Sequence, residues 1–301
     1  VYKEGCMALV ERLRDKEGNR HRYVSLKSME HIKGLIESCV AREAVALESG
    51  IILLAIAVSG GVDSMTLACV AHEVTSIVVY HAVSPAVPFE ATDRVQRYGE
   101  ARGWKLEIID AGEFKDQAYV ANPANRCYFC KHNLYETIVS TAGIQVLSGT
   151  NTDDLGDFRP GLKAAAKYGV RHPFVECEID KDAIRTIAKS LGLNDLSVLP
   201  SAPCLSSRVE TGLPIHAPTL ATIHRVEQLM QKRLKPSTVR CRVRAEDIVI
   251  ELDDETLATI DDRQQRELES TVADCFYEID INRPVRLGIY RQGSAFIRAS
   301  S

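Results

Sequence analysis

Two short strings combine residue types and spacings that can do chemistry. The first is Ser59-Gly60-Gly61-Val62-Asp63-Ser64, which directly follows an apolar run. Paired glycines let a chain turn with its N–H groups inward, and a helix start adds unpaired amides and the positive end of a dipole. Such a loop is a phosphate cradle, and the Asp63 carboxylate is of the kind that suits a magnesium ion bridging phosphate oxygens. The lysine of the pattern G-x-x-x-x-G-K-[ST] is missing, so the ordinary phosphate loop does not apply. The bland alternative is a tight turn in which Asp63 and Ser64 cap a helix.

The second string is Cys127-x-x-Cys130, a spacing shared by zinc sites, redox dithiols and buried packing. A third thiol, Cys204, stands in Pro203-Cys204-Leu205-Ser206-Ser207-Arg208, where the nearby Arg208 would favour a reactive thiolate. Gly149-Thr150-Asn151-Thr152-Asp153-Asp154 supplies carboxylates that could hold magnesium opposite Asp63, or else Asp153 caps a helix near 161–168. Arg159, beside Pro160 and Gly161, is suited to gripping a phosphate or carboxylate with its fork. Arg242 and Arg244, two apart in Cys241-Arg242-Val243-Arg244, project from one face of a strand, either toward solvent or toward an anion.

Elements must bring these groups together. Residues 51–58 read as a central parallel strand covered on both faces, since apolar side chains run there without alternation. Similar runs recur at 76–81, 105–110 and 145–148, and helical patterns fall near 62–73, 90–102 and 131–142. Strands alternating with helices predict an α/β fold with a doubly wound parallel sheet, whose ligands bind at the carboxyl ends of the strands. Prolines at 200, 203, 214 and 218 mark a change of texture. A helix through Leu220–Met230, an alternating segment over 239–252, a helix near 262–273 and a strand near 276–281 then predict a smaller α+β domain. The expected division is an N-terminal helical segment over 1–50, striped by Ile32, Leu35, Ile36, Cys39, Val40, Val45 and Leu47, a nucleotide domain over 51–203, and a C-terminal domain over 204–301.

The 301 residues are 45% apolar, enough for a sizeable core. A net charge of −4 gives no general attraction to nucleic acid or to anionic membrane, so an anionic ligand must be held locally. The longest apolar run, 51–58, is far short of the ~20 residues that span a bilayer, and no secretory leader precedes it, so a cytoplasmic protein is expected. Nine cysteines, an odd number, favour reduced thiols or metal ligands over a disulfide framework. Cys6, Cys39, Cys69, Cys177, Cys241 and Cys275 read as packing residues or bystanders.

The Ser-Gly-Gly-x-Asp-Ser loop resembles that of the ATP-pyrophosphatase superfamily. Three further strings narrow the resemblance: Asn122-Pro123-Ala124-Asn125-Arg126-Cys127-Tyr128-Phe129-Cys130-Lys131, residues 148–161 and residues 200–208. From about residue 50 to residues 290–294, and in the same order, they are similar to the LarE family of ATP-dependent sulfur transferases, which make the pincer ligand of a nickel cofactor. The resemblance implies an adenine-nucleotide alpha-hydrolase-like sheet, ATP and Mg2+ as co-reactants, and pyridinium-3,5-biscarboxylic acid mononucleotide as the small-molecule substrate. It implies a homo-oligomer with no membrane or nucleic-acid partner. It places Ser59, Gly60, Gly61, Val62, Asp63, Ser64, Thr150 and Arg159 at the nucleotide, and Arg208, Arg242 and Arg244 at an anion site near the catalytic Cys204, with Asp63 and Asp153 at magnesium.

Family members with cysteines matching Cys127, Cys130 and Cys204 carry a [4Fe-4S] cluster whose fourth iron is open to sulfide from a donor. Repeated sulfur transfer is therefore expected. Two alternatives stand beside it: sacrificial donation of the Cys204 sulfur, and thiolation of tRNA, against which the negative net charge and the lack of a basic arm weigh.

Overall fold

The computed structural model describes residues 27–38, 53–155, 160–200 and 203–291. Helix α1 covers residues 27–38; the rest of the expected N-terminal segment lies outside the described residues. Four strands, β1 (Leu53–Ala57), β2 (Ser76–Ala82), β3 (Lys105–Ile109) and β4 (Val146–Ser148), form an all-parallel sheet in the order β3-β2-β1-β4. The crossovers contain α2 (Val62–Val74), α3 (Phe89–Arg102) and α4 (Arg126–Ala142). Beyond β4 come α5 (Gly161–Lys167) and α6 (Lys181–Ser190), and a single parallel bridge from Leu147 to Arg171 extends the sheet.

Residues of β1 explain the two-sided cover. Leu54 and Ile56 enter one core with Ile32 and Ile36 of α1, Met65 of α2 and Ile184 of α6. Ala55 and Ala57 enter the other with Tyr135 and Ile138 of α4 and Ala164 of α5. Successive strand side chains point to opposite faces, so an unalternating apolar run is what helices on both faces require. The order of strands reverses between β1 and β4, the point at which open α/β sheets leave a crevice at their carboxyl edge.

A second sheet joins β5 (Val239–Val243), β6 (Ile248–Leu252) and β7 (Val285–Ile289), antiparallel and then parallel. It packs with α7 (Ala217–Leu234) and α8 (Asp262–Tyr277) through Leu220, Ile223, Ile250, Val272 and Phe276. The segment 239–252 is a hairpin rather than one alternating run, and all five residues of β6 are buried. The strand expected near 276–281 is absent: α8 runs to Tyr277, and β7 begins at Val285. Leu268, Val272 and Phe276 recur every four residues, so Phe276 ends a helical stripe, and Ile279 and Ile281 follow in the turn after α8, packed on the same core. Helix α4 starts at Arg126, five residues before the expected start, which puts Cys127 and Cys130 on its first turns.

The two sheets share packing at their junction. Tyr119 and Ala86 from the loops of the parallel sheet are buried in the core of the second one. Backbone bonds from Leu205 to Ala86, Gly212 to Asn122 and Ile215 to Val120, at 2.8–2.9 Å, sew the chains of the two parts together. None of the helices among the described residues is long and apolar enough to cross a membrane.

Candidate functional site

The loop after β1 occupies the switch point. Gly60 has a φ of +80°, and a Cβ there would stand 2.7 Å from the carbonyl oxygen of Ala91, so only glycine fits. The loop after β4 presses on it from the other side: a Cβ on Gly149 would lie 2.6 Å from the Ser64 nitrogen. Both glycines answer to a close approach of backbones. Ser64 Oγ donates to the Gly61 carbonyl at 3.2 Å and accepts from the Ser59 N–H at 3.1 Å, which ties the loop into a ring. The first helical bond runs from Met65 to Gly61, and among the described residues no acceptor faces the N–H groups of Gly61, Val62 or Asp63. Unfilled donors converge there.

Asp63 projects from the first turn of α2. Lys181, at the start of α6, donates its ammonium to Asp63 Oδ2 at 2.5 Å, and its backbone N–H to Asp153 Oδ2 at 3.1 Å. The other oxygen, Asp63 Oδ1, is buried without a partner. Burial raises the Asp63 carboxyl above its ordinary pKa, the Lys181 bond and charge pull it back, and the Asp154 charge adds to the rise. An unsatisfied buried carboxylate oxygen facing a phosphate loop fits a hard cation brought in with the nucleotide. Asp153 does not cap the helix at 161, whose N-cap is Pro160; it lies in its own short turn, Thr152–Leu155. Thr150 shares a 3.3 Å contact with the Ser148 hydroxyl. Arg159 lies outside the described residues.

Cys127, Cys130 and Cys204 lie near the junction of the two sheets, close enough for the charges of Cys127 and Cys204 to act on Cys130. Cys130 is half-buried, and its thiol is pushed up to about 12, first by desolvation and then by the charge of Cys204, with Glu113 and Cys127 adding to the rise and Lys131 opposing it. Tyr119 feels the same pair of sulfurs and donates to, or accepts from, Ser206 Oγ at 2.7 Å. Cys204 itself is exposed. Lys131 is held in its charged form, by Tyr135 first and then by Cys130, Cys127 and Cys204. A Cβ on Gly161 would meet the Lys131 side chain at 3.0 Å. Burial first, with the Lys131 charge adding to it, lowers the pKa of His172. Among the described residues no group of three or more His, Cys, Asp or Glu side chains is placed to hold a single metal ion. Three thiolates are, by their chemistry, the donor set that an iron–sulfur cluster takes.

The arginines behave differently. Arg208 is buried, bonds both oxygens of Glu227 at 2.9 and 3.2 Å, and reaches the carbonyls of Pro203 and Cys204 at 2.7 and 3.3 Å. Its guanidinium therefore fixes the backbone of Cys204. Arg242 and Arg244 do share a face, and both pair with buried Glu251, at 3.0 and 3.1 Å. Arg240 joins them, its pKa lowered by burial and then by the Arg208 charge. Four arginines thus gather around two glutamates, and Arg244 is the most exposed of the three ion-paired ones.

Lys131, Lys181, Glu113 and Tyr119 are site residues that motif spacing did not single out. Lys131, directly after Cys130, carried the plainest signal in the sequence.

No family model matches the chain. It is 40% identical over 193 residues to the uncharacterized protein slr1717 of Synechocystis sp., a match spanning 62% of this chain and 71% of that one. The uncharacterized protein MJ0830 of Methanocaldococcus jannaschii is 28% identical over 70% of this chain and 81% of its own length. At 26% identity, over 71% of this chain and 81% of the relative, it is similar to the pyridinium-3,5-bisthiocarboxylic acid mononucleotide synthase of Lactiplantibacillus plantarum.

Proposed function

The chain belongs to the family of the Synechocystis protein slr1717, and from that premise we propose that it is an ATP-dependent sulfur transferase of the LarE kind. Its substrate is a pyridinium mononucleotide carboxylate, in keeping with the name of the Lactiplantibacillus relative. A substrate carboxylate oxygen attacks the α-phosphorus of ATP, the bond to the β-phosphate oxygen breaks, and pyrophosphate leaves. A sulfur nucleophile then adds to the acyl carbon and AMP departs, leaving a thiocarboxylate.

Amides of residues 60–63 and the Ser59 and Ser64 hydroxyls hold the departing pyrophosphate, where preorganised donors stabilise developing charge. Asp63, with Asp153, holds the magnesium that arrives with ATP. Lys181 keeps the site neutral before the nucleotide binds. The mononucleotide phosphate sits against Arg244, at the exposed side of an arginine cluster that exceeds its glutamates in charge. Cys127, Cys130 and Cys204 would hold a [4Fe-4S] cluster, which when bound supplies an iron without a protein ligand for sulfide. Residues 51–203 serve the nucleotide and also contribute Cys127 and Cys130, while 204–301 contribute Cys204 and the arginines of the sulfur-transfer side.

The observation that supports this reading is the nearness of Cys130 and Cys204, far apart in sequence, whose charges act on one another. Anaerobic protein, incubated with ATP, magnesium, sulfide and the mononucleotide, is expected to release pyrophosphate and yield a product in which oxygen is replaced by sulfur, read by mass spectrometry. Cys204→Ala keeps pyrophosphate release and loses all thiocarboxylate. Intact-protein masses showing Cys204 converted to dehydroalanine would replace repeated transfer by sacrificial donation. Absence of pyrophosphate release in the presence of the carboxylate sinks the reading.

A further inference from the structure

The phosphate loop contains a conformational weakness. Glycine visits both signs of φ at similar cost, so nothing within Gly60 and Gly61 stops the peptide between them from turning over. A turned peptide would present a carbonyl, not an N–H, to an anion. Something outside the loop must set its direction.

Helix α3 supplies three contacts to that end. The Ala91 carbonyl lies against Gly60. Buried His81 bridges the Val58 carbonyl at 2.9 Å and the Thr92 hydroxyl at 3.0 Å, with its pKa lowered by burial. Arg94 Nη1 donates to the Gly60 carbonyl at 2.9 Å. That third bond acts on the peptide in question. In a planar trans peptide the C=O and the N–H point in opposite directions, so a guanidinium gripping Gly60 O turns the Gly61 N–H the other way. The Gly61 N–H has no acceptor among the described residues, as an amide kept for a ligand should be.

Arg94 also differs from the arginines that motif reading favoured. Arg208, Arg242 and Arg244 are paired with glutamates, whereas among the described residues Arg94 bonds Gly60 alone. Its charge is left to act at the loop. The N-terminal end of α3 is anchored as well: Glu90 accepts from Gln228 of α7 at 2.6 Å.

We propose that Arg94 is a positioning residue for the nucleotide: it locks the Gly60–Gly61 peptide so that the Gly61 amide faces the pyrophosphate of ATP. This deepens the phosphate-loop reading above and rests on it. Binding is measured by calorimetry on the full chain with two probes, magnesium pyrophosphate and adenosine. Arg94→Ala is expected to weaken pyrophosphate binding roughly tenfold to hundredfold, the range for a lost charged hydrogen bond, and to leave adenosine binding unchanged. Arg94→Lys, which keeps one charged donor, recovers most of that loss, and the far-ultraviolet circular dichroism of both variants matches the parent.

Equal pyrophosphate binding by parent and Arg94→Ala overturns the inference while the phosphate-loop reading stands. Equal weakening of adenosine and pyrophosphate also overturns it, since the helix would then be acting on the whole pocket. A parent that binds neither probe removes the nucleotide reading, and Arg94 falls with it.

Discussion

The carboxyl edge of the parallel sheet and the face of the small sheet both collect groups suited to anions, but by opposite means. At the first, the donors are backbone amides with no acceptor among the described residues, and the cations Arg94 and Lys181 touch the loop and its aspartate. At the second, the donors are guanidinium groups, and Glu227 and Glu251 already occupy most of them. A backbone cradle can stay unfilled because its amides lie at a helix start reachable by solvent or ligand. A buried guanidinium cannot wait in that way, because an unpaired buried charge costs several kcal/mol. The first region is poised for a ligand; the second holds itself together, with spare positive charge at its exposed side.

That contrast can be broken by substitution. Glu251→Gln strips the shared partner from Arg242 and Arg244 and is expected to cost about 3 kcal/mol of stability, seen as a lower denaturant midpoint, with ATP binding by the surviving folded protein unchanged. A variant as stable as the parent would mean that the arginines need no carboxylate. Gly60→Ala sharpens the other side. The positive φ costs an alanine roughly 1–2 kcal/mol, with the 2.7 Å approach of the Ala91 carbonyl added, so the loop must shift. Pyrophosphate binding should be lost with a smaller fall in stability than Glu251→Gln produces; a reversed ranking would erase the distinction between the two regions.

The smallest effect is a rate. In metal-free protein Cys130 is expected to be alkylated far more slowly than exposed Cys204 at pH 8, because its thiol, raised to about 12, stays protonated. Its rate should climb about tenfold per pH unit toward that value, as the thiolate fraction grows. Peptide mapping by mass spectrometry reads both sites at once, and equal rates at pH 8 would show that the pocket is open.

Local pattern carried much of this architecture. The apolar runs that became β1, β2 and β3, and the helices between them, are periodic over their own length, and each was placed to within a residue or two of its observed bounds. Two local readings failed for a physical reason. Residues 276–281 contain the end of the α8 stripe, which over a few positions is indistinguishable from alternation. The start of α4 is hidden although Asn125, a favoured cap residue, stands at it, because its side chain makes no cap bond and the first turn lacks acidic residues.

By itself the sequence determined the turn at Gly60, the helix that follows it and the spacing of Cys127 and Cys130, since these depend on neighbours in the chain and on what a missing Cβ permits. Tertiary structure alone decided which charges are free. Arg208 lies 19 residues from Glu227, Lys181 lies 118 residues from Asp63, and Arg94 lies 34 residues from the carbonyl it holds. An arginine's chemistry is the same wherever it stands, and only the fold determines whether a carboxylate, a carbonyl or a ligand receives its protons.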